Sequence, residues 1–243
     1  MEVDVTELLY QTDSYLREFT ARVEALEGQE VALERTAFYP GGGGQPHDLG
    51  VLVGADGQAW PVTRVQKKAD AVWHTVTGEP PAVGATLMGR LDWERRYGLM
   101  RLHTALHILC GVIYHDYGAL VTGGNMEPNG RRARMDFEFE RMQAELVHEI
   151  EARVNAQVAA GRPIRVRILP REEAFQIPDL IRTKINLLPE GIMQVRTVEI
   201  EGLDLQADGG THVANTREVG AIRVVDYHSK GRINKRLVIA LEP

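Results

Sequence analysis

His103 and His107 stand four residues apart in Leu102-His103-Thr104-Ala105-Leu106-His107, and a second cluster, Asp208-Gly209-Gly210-Thr211-His212, follows far downstream. An i, i+4 spacing puts both imidazoles on one helix face, one turn apart. Two such side chains can grip one metal ion when a distant loop supplies the remaining ligands. The glycines beside Asp208 let the backbone turn tightly enough for Asp208 and His212 to point at the same place. Alone, the histidine pair would read equally well as a helix flank; the downstream cluster favours the metal. A chain built this way has to carry the 208–212 loop onto the helix.

The rest of the sequence reads as two regions, 1–90 and 91–243. Residues 1–90 are mostly β. Apolar residues alternate from Val23 to Leu33, and Asp56-Gly57 lies between Val51-Leu52-Val53 and Trp60-Pro61-Val62, which is a hairpin signal. A turn near Lys67–Asp70 leads into Val72-Trp73-His74-Thr75-Val76, Glu79-Pro80-Pro81 marks a break, and one more strand is expected near Ala85–Arg90. A helix is expected near Glu7–Thr20. A small barrel is the natural way to close several short antiparallel strands. Asp92 then caps a long helix to about Tyr117, with Leu99, Leu102, Leu106, Leu109 and Val112–Ile113 on its apolar face. Gly123-Gly124-Asn125 is expected as a loop and Arg134–Phe139 as a strand. A second amphipathic helix runs from Gln143 to Ala160, ended by Gly161 and Pro163. Strands are expected at Ile164–Leu169, Gln194–Ile200, Gly220–Tyr227 and Ile233–Leu241. Two helices on one face of a mainly antiparallel sheet make an α+β layer architecture.

Composition narrows the function. An apolar share of 44% in 243 residues is enough for a real core. No apolar run approaches the ~18 residues that span a bilayer. The start, Met1-Glu2-Val3-Asp4, is acidic and unlike a signal peptide, so a cytoplasmic protein is expected. The single cysteine, Cys110, excludes an intrachain disulfide framework and reads as a small buried side chain. The net charge of −6 argues against bulk attraction to nucleic acid. Residues 1–90 hold 13 acidic and 7 basic side chains, whereas residues 91–243 hold 21 of each. Any RNA contact must use local patches. The densest acid-free one, residues 228–236, holds Lys230, Arg232, Lys235 and Arg236; it can equally be a solvated strand end.

Four segments carry a resemblance. His103-Thr104-Ala105-Leu106-His107 followed by Gly209-Gly210-Thr211-His212 resembles the editing domain of alanyl-tRNA synthetases and its free-standing relatives, the AlaX proteins. Thr36-Ala37-Phe38-Tyr39-Pro40-Gly41-Gly42-Gly43-Gly44-Gln45-Pro46 resembles the family's T-x-F-Y-P-x-G-G-G-Q signature, and Lys230-Gly231-Arg232-Ile233-Asn234-Lys235-Arg236 agrees with its tail. The segments fall in the family's order over residues 36–236. One departure matters: Asp208 stands where the family usually carries the cysteine of a C-G-G-T-H loop. A carboxylate oxygen is an acceptable zinc ligand but a harder one than thiolate, so a His103/His107/Asp208/His212 site holds zinc less selectively. Asp204 is a competing carboxylate four residues upstream.

The resemblance implies a small N-terminal barrel followed by a two-layer α+β editing domain. It implies a trans-editing deacylase that acts on mischarged tRNA(Ala), chiefly seryl-tRNA(Ala), with glycyl-tRNA(Ala) as a further substrate, and it implies one Zn2+ per chain. Thr36 and Gln45 are its expected catalytic-site residues, with the Thr36 hydroxyl placed to meet serine's hydroxyl. Gly42, Gly43 and Gly44 bring backbone N–H groups near substrate, and Lys230, Arg232, Lys235 and Arg236 meet phosphates near the acceptor end. A threonine in a strand and glycines at a barrel rim are also ordinary architecture. Two other classes stay open: a tRNA-binding module with a structural zinc, and a zinc-dependent hydrolase of small esters or amides without RNA. No glutamate follows His103, so the H-E-x-x-H pattern of zinc peptidases is absent.

Overall fold

The computed structural model describes residues 4–183 and 191–242, which leaves Met1–Val3 of the acidic start outside the described residues. The chain forms two compact units, Met1–Tyr97 and Gly98–Pro243.

The first unit is built on alternation. Strand β1 (Glu7–Leu8) is followed by a single 3-10 turn over Leu9–Gln11 and by β2 (Glu18–Glu27). The helix expected over Glu7–Thr20 is therefore absent. Two local forces displace it. The Asp13 carboxylate accepts from the Tyr15 N–H at 2.8 Å, an alternative to helical pairing. Phe19, Ala21, Val23 and Ala25 are buried at every second position of β2, so the strand pattern starts earlier than Val23. Next come β3 (Glu30–Leu33), β4 (Arg35–Thr36), β5 (Gly50–Gly54), β6 (Ala59–Lys68), β7 (Ala71–Val76) and β8 (Thr86–Leu91). Six of these strands close a barrel in the order β2-β3-β7-β6-β5-β8. Its core joins Phe19, Leu33, Phe38, Leu52, Trp60, Val65, Val72 and Leu87. The expected Asp56-Gly57 hairpin connects β5 to β6, with Gly57 at φ +86°.

Helix α1 (Trp93–Tyr117) opens on Asp92, whose Oδ1 accepts from Arg95 N–H at 3.1 Å. From Leu99 to Ile113 every residue but Arg101 is buried, so α1 is enclosed around most of its circumference rather than along one stripe. Strands β9 (Val121–Met126) and β10 (Arg132–Glu138) follow, then α2 (Ala144–Ala160), β11 (Ile164–Pro170), the one-turn α3 (Arg171–Ala174), β12 (Gln194–Ile200), β13 (Asp204–Ala207), β14 (Ile222–Ser229) and β15 (Asn234–Leu241). Gly123-Gly124-Asn125 lies inside β9, paired with β10 across a bulge, rather than in a loop: the cross-strand partner overrides weak strand propensity.

The strands expected as one sheet form two, β14-β15-β10-β9 and β11-β12-β13, both antiparallel. Helix α2 lies along edge strand β14 and satisfies part of its backbone. Asn155 bonds both the Ile222 N–H (3.0 Å) and the Ile222 carbonyl (2.8 Å), and Glu151 accepts from Val224 N–H at 2.7 Å. An edge covered in this way offers fewer open groups to another chain. Among the described residues, no helix is long and apolar enough to cross a membrane.

Candidate metal centre

The second unit brings His103 and His107 of α1 to Asp208 and His212. Each offers one ligand atom, and those atoms all lie within 4.8 Å of one another. Helix geometry sets the first pair, with ring centroids 5.1 Å apart. Strand pairing sets the rest. Asp204 is in register with Ile200, and the Asp208 N–H continues the ladder by donating to the Arg196 carbonyl at 3.0 Å. The loop then folds on itself: Gly210 N–H donates to Asp208 Oδ2 at 2.8 Å. Beyond His212, Asn215 and Glu218 clamp the next turn. The Asn215 side chain accepts from Arg217 N–H at 3.0 Å, and the Glu218 carboxylate from Asn215 N–H at 3.0 Å.

The surroundings of each imidazole decide which nitrogen it can offer. His107 Nδ1 lies 3.0 Å from Asp204 Oδ2, and His212 Nδ1 lies 3.1 Å from Thr104 Oγ1. His103 donates to the Thr211 backbone. His212 Nε2 lies 3.0 Å from Asp208 Oδ2, and His103 Nε2 lies 3.6 Å from Asp208 Oδ1. Outer partners of this kind fix ring orientation and tautomer at metal sites. Asp204 was the competing carboxylate; it stands beside His107 and outside the convergent four.

Protonation suits a cation. Burial pushes His103 down to about 4, against the pull of Asp208. Burial, together with the neighbouring His103, holds His212 well below the ordinary histidine value. Burial would raise the Asp208 carboxyl, yet the three imidazoles and the hydrogen bond from His212 hold it well below the usual carboxylate range. Burial lowers His107, but the hydrogen bond to Asp204 and the charges of Asp204 and Asp208 together outweigh it, so His107 is raised. At neutral pH, His103 and His212 thus present neutral nitrogens beside an ionised carboxylate, the forms in which these groups bind metal. Three imidazoles and one carboxylate fit a borderline divalent ion such as zinc. Cys110 takes no part: it is buried, its sulfur accepts from Gln206 Nε2 at 3.4 Å, and burial pushes its thiol up.

Thr36, Gln45 and the glycine run belong to the first unit. Thr36 is fully buried. Its Oγ1 lies 2.9 Å from His74 Nε2 and accepts from Phe38 N–H at 3.1 Å. His74 Nδ1 meets the Val31 carbonyl at 3.1 Å, and burial lowers its pKa to about 4. A neutral ring that donates from Nδ1 must accept at Nε2, so the Thr36 hydroxyl donates to it and keeps one lone pair. Gln45 is buried as well. Gly41–Gly44 all have positive φ, and Gly42 and Gln45 exchange backbone bonds of 3.1 and 2.9 Å across the turn. Its flanks are held by Asp48, which accepts from Tyr39 N–H at 2.6 Å and pairs with fully buried Arg96. Arg96 also donates to the Ala37 carbonyl and, at 2.9 Å, to that of Ser14. Sequence reasoning missed both Arg96 and His74, which carry no motif of their own.

The basic tail divides. Lys230 and Arg232 are exposed. Lys235 is buried on the core-facing side of β15, and its ammonium reaches the Gly231 and Arg232 carbonyls at 2.8 Å each. Arg236 forks onto Asp136 with bonds of 2.6 and 2.7 Å.

The chain is similar to known proteins over most of its length. Residues 6–95 match the model for class II (A) tRNA synthetases, and residues 195–238 match the second additional domain of threonyl and alanyl tRNA synthetases. An alanyl-tRNA editing protein AlaX-M of Saccharolobus solfataricus is 40% identical over 243 residues, covering 98% of this chain and 100% of that protein. The AlaX-M protein of Methanosarcina barkeri is 36% identical, covering 98% and 99%. An alanine–tRNA ligase of Pyrobaculum neutrophilum is 38% identical over 225 residues, which is 90% of this chain and 25% of the ligase.

Proposed function

Since this chain belongs to the AlaX-M family of alanyl-tRNA editing proteins, we propose that it is a trans-editing hydrolase that deacylates mischarged tRNA(Ala), chiefly seryl-tRNA(Ala) and secondarily glycyl-tRNA(Ala), in the cytoplasm. The observation that carries the reading is the convergence of His103, His107, Asp208 and His212, with His103 and His212 neutral and Asp208 ionised at neutral pH. In the reaction, water's oxygen bonds the acyl carbon, the bond from that carbon to the ribose oxygen breaks, and the ribose oxygen takes up a proton.

These four residues would hold one Zn2+. When bound, zinc supplies positive charge for a substrate oxygen or amine, or for water. Thr36 and Gln45 are assigned to recognition of the acyl group. The one lone pair left on Thr36 can accept from serine's hydroxyl, a bond that alanine cannot make. Gly42–Gly44 offer backbone close to substrate. Phosphate contact falls mainly to exposed Lys230 and Arg232, because Lys235 and Arg236 would first have to leave Gly231, Arg232 and Asp136.

The test is deacylation of seryl-, glycyl- and alanyl-tRNA(Ala) by the zinc-loaded protein. Serine should be released fast and alanine spared, and Thr36→Val should narrow that selectivity several-fold, as expected for a lost hydrogen bond of ~0.5–1.5 kcal/mol. Equal turnover of seryl and alanyl substrates removes the editing reading. Four protein donors can also fill a tetrahedral zinc completely, which favours a structural metal in a tRNA-binding module. Tight tRNA binding without deacylation would select that second reading.

A further inference from the structure

We infer that Asp204 is the positioning residue of the metal centre: it holds His107 by Nδ1, so that Nε2 is the nitrogen presented to the convergent four. The inference rests on the metal reading of that group.

Four contacts fix Asp204 in place. Its Oδ2 lies 3.0 Å from His107 Nδ1. The same oxygen accepts from Gln206 Nε2 at 2.7 Å, and Gln206 is tied back to α1 through Cys110. Register with Ile200 sets its backbone. The fourth contact is a notch in α1. A Cβ on Gly111 would lie 2.9 Å from both Leu203 Cγ and the Leu203 carbonyl, and 3.2 Å from Asp204 Cβ, so only a bare helix position admits this turn. One turn further on, His115 Nε2 meets the Leu203 carbonyl at 2.8 Å. His107, Gly111 and His115 thus form one line on α1, spaced by four, that receives residues 203–204.

The carboxylate is poorly compensated except through His107 and Gln206. Asp204 is 4% exposed, its Oδ1 has no hydrogen-bond partner, and among the described residues the closest guanidinium, Arg182 Nε, stands 3.9 Å from that oxygen. A buried carboxylate is costly unless it serves a partner. Here the partner is an imidazole whose other nitrogen faces three more donors. Carboxylate–histidine pairs orient such rings and strengthen them as ligands.

Zinc affinity of the full chain, measured by competition with a chromogenic chelator, tests this. Asp204→Asn keeps the size and removes the charge; it should weaken zinc binding about 10- to 100-fold, the usual effect of losing an outer-shell partner. Nitrogen-15 spectra of the zinc-loaded wild type should show His107 protonated at Nδ1 and metal-bound at Nε2, with that assignment blurred in the variant. A role confined to packing would lower stability and leave both readouts of the folded protein unchanged. Gln206→Ala releases one anchor of the carboxylate without touching His107; it should weaken zinc binding several-fold, and it serves if Asp204→Asn fails to fold. Affinities within two-fold of wild type in every variant that folds overturn the inference. A wild-type chain that binds no zinc overturns instead the metal reading beneath it.

Discussion

In the barrel unit Asp48 faces Arg96 and Thr36 faces His74, whereas in the second unit His103, His107, His212 and Asp208 face one another. Both clusters are buried and polar. In the first, acceptors meet donors of the same chain: Asp48 takes bonds from Arg96 and Tyr39, and Thr36 bridges Phe38 and His74. In the second, three nitrogens and a carboxylate converge, and an ionised Asp208 beside two neutral imidazoles has acceptor capacity to spare. A buried polar cluster that satisfies itself stabilises a fold; one whose lone pairs converge calls for a cation.

This contrast can be broken experimentally, and the sequence provides a convenient probe. Trp60, Trp73 and Trp93 all lie in the first unit, so tryptophan fluorescence reports on it. The largest expected effect is that of Asp48→Ala. It strands the guanidinium of Arg96, which is fully buried, and should cost about 3–5 kcal/mol in urea unfolding followed by fluorescence. A loss under 1 kcal/mol would mean that the barrel does not depend on internal pairing.

The next effect is a pH dependence. Folded His74 titrates at about 4, below the 6.5 of the free side chain, so between these values the unfolded chain binds a proton that the folded one does not. The His74 contribution is therefore fully present above pH ~6.5 and is lost as pH falls towards ~4, by about 3 kcal/mol in all. His74→Gln should be less stable than wild type at pH 7, and the gap should shrink by roughly that amount at pH 4. A gap that stays constant with pH would place a charged His74 in the barrel and undo the assignment of Thr36 as donor.

The smallest effect distinguishes two glycines on one helix. A Cβ on Gly98 meets nothing within 4 Å, so Gly98→Ala should stabilise by about 0.5–1 kcal/mol. Gly111→Ala should destabilise by about 1 kcal/mol or more, because the same methyl drives into Leu203 and Asp204. Thermal unfolding of both variants decides it, and equal signs would mean that the notch yields freely.

The sequence reveals the donor group better than what supports it. Spacing on a helix and glycines in a loop single out His103, His107, Asp208 and His212, which the structure brings within 4.8 Å of one another. They cannot say which nitrogen of His107 a nearby carboxylate approaches, because that depends on the register of β12 and β13 against α1. Strand β13, Asp-Leu-Gln-Ala, is too short and polar to announce itself. Two barrel hairpins, β5–β6 at Asp56-Gly57 and β6–β7 near Lys67–Asp70, are legible from turn residues, whereas the β2–β3 hairpin lies inside the Val23–Leu33 stretch read only as alternation. The helix expected over Glu7–Thr20 does not form, because Thr12-Asp13-Ser14 turns the chain ahead of β2. Lys235 and Arg236 look like neighbours in a basic run. In β15 consecutive residues point to opposite faces, so one enters the core and the other pairs with Asp136.

The exchange of cysteine for Asp208 also changes how this centre should age. Thiolate ligands are the usual point of entry for peroxide and alkylating agents, and their loss releases the metal. None of the four donors here contains sulfur. Cys110 is sealed beneath Gln206 with its thiol pushed up, so it offers almost no thiolate to react. A metal held by these four would rest on no thiolate, so its lifetime in an oxidising solution should be set by ligand exchange rather than by oxidation of a sulfur ligand.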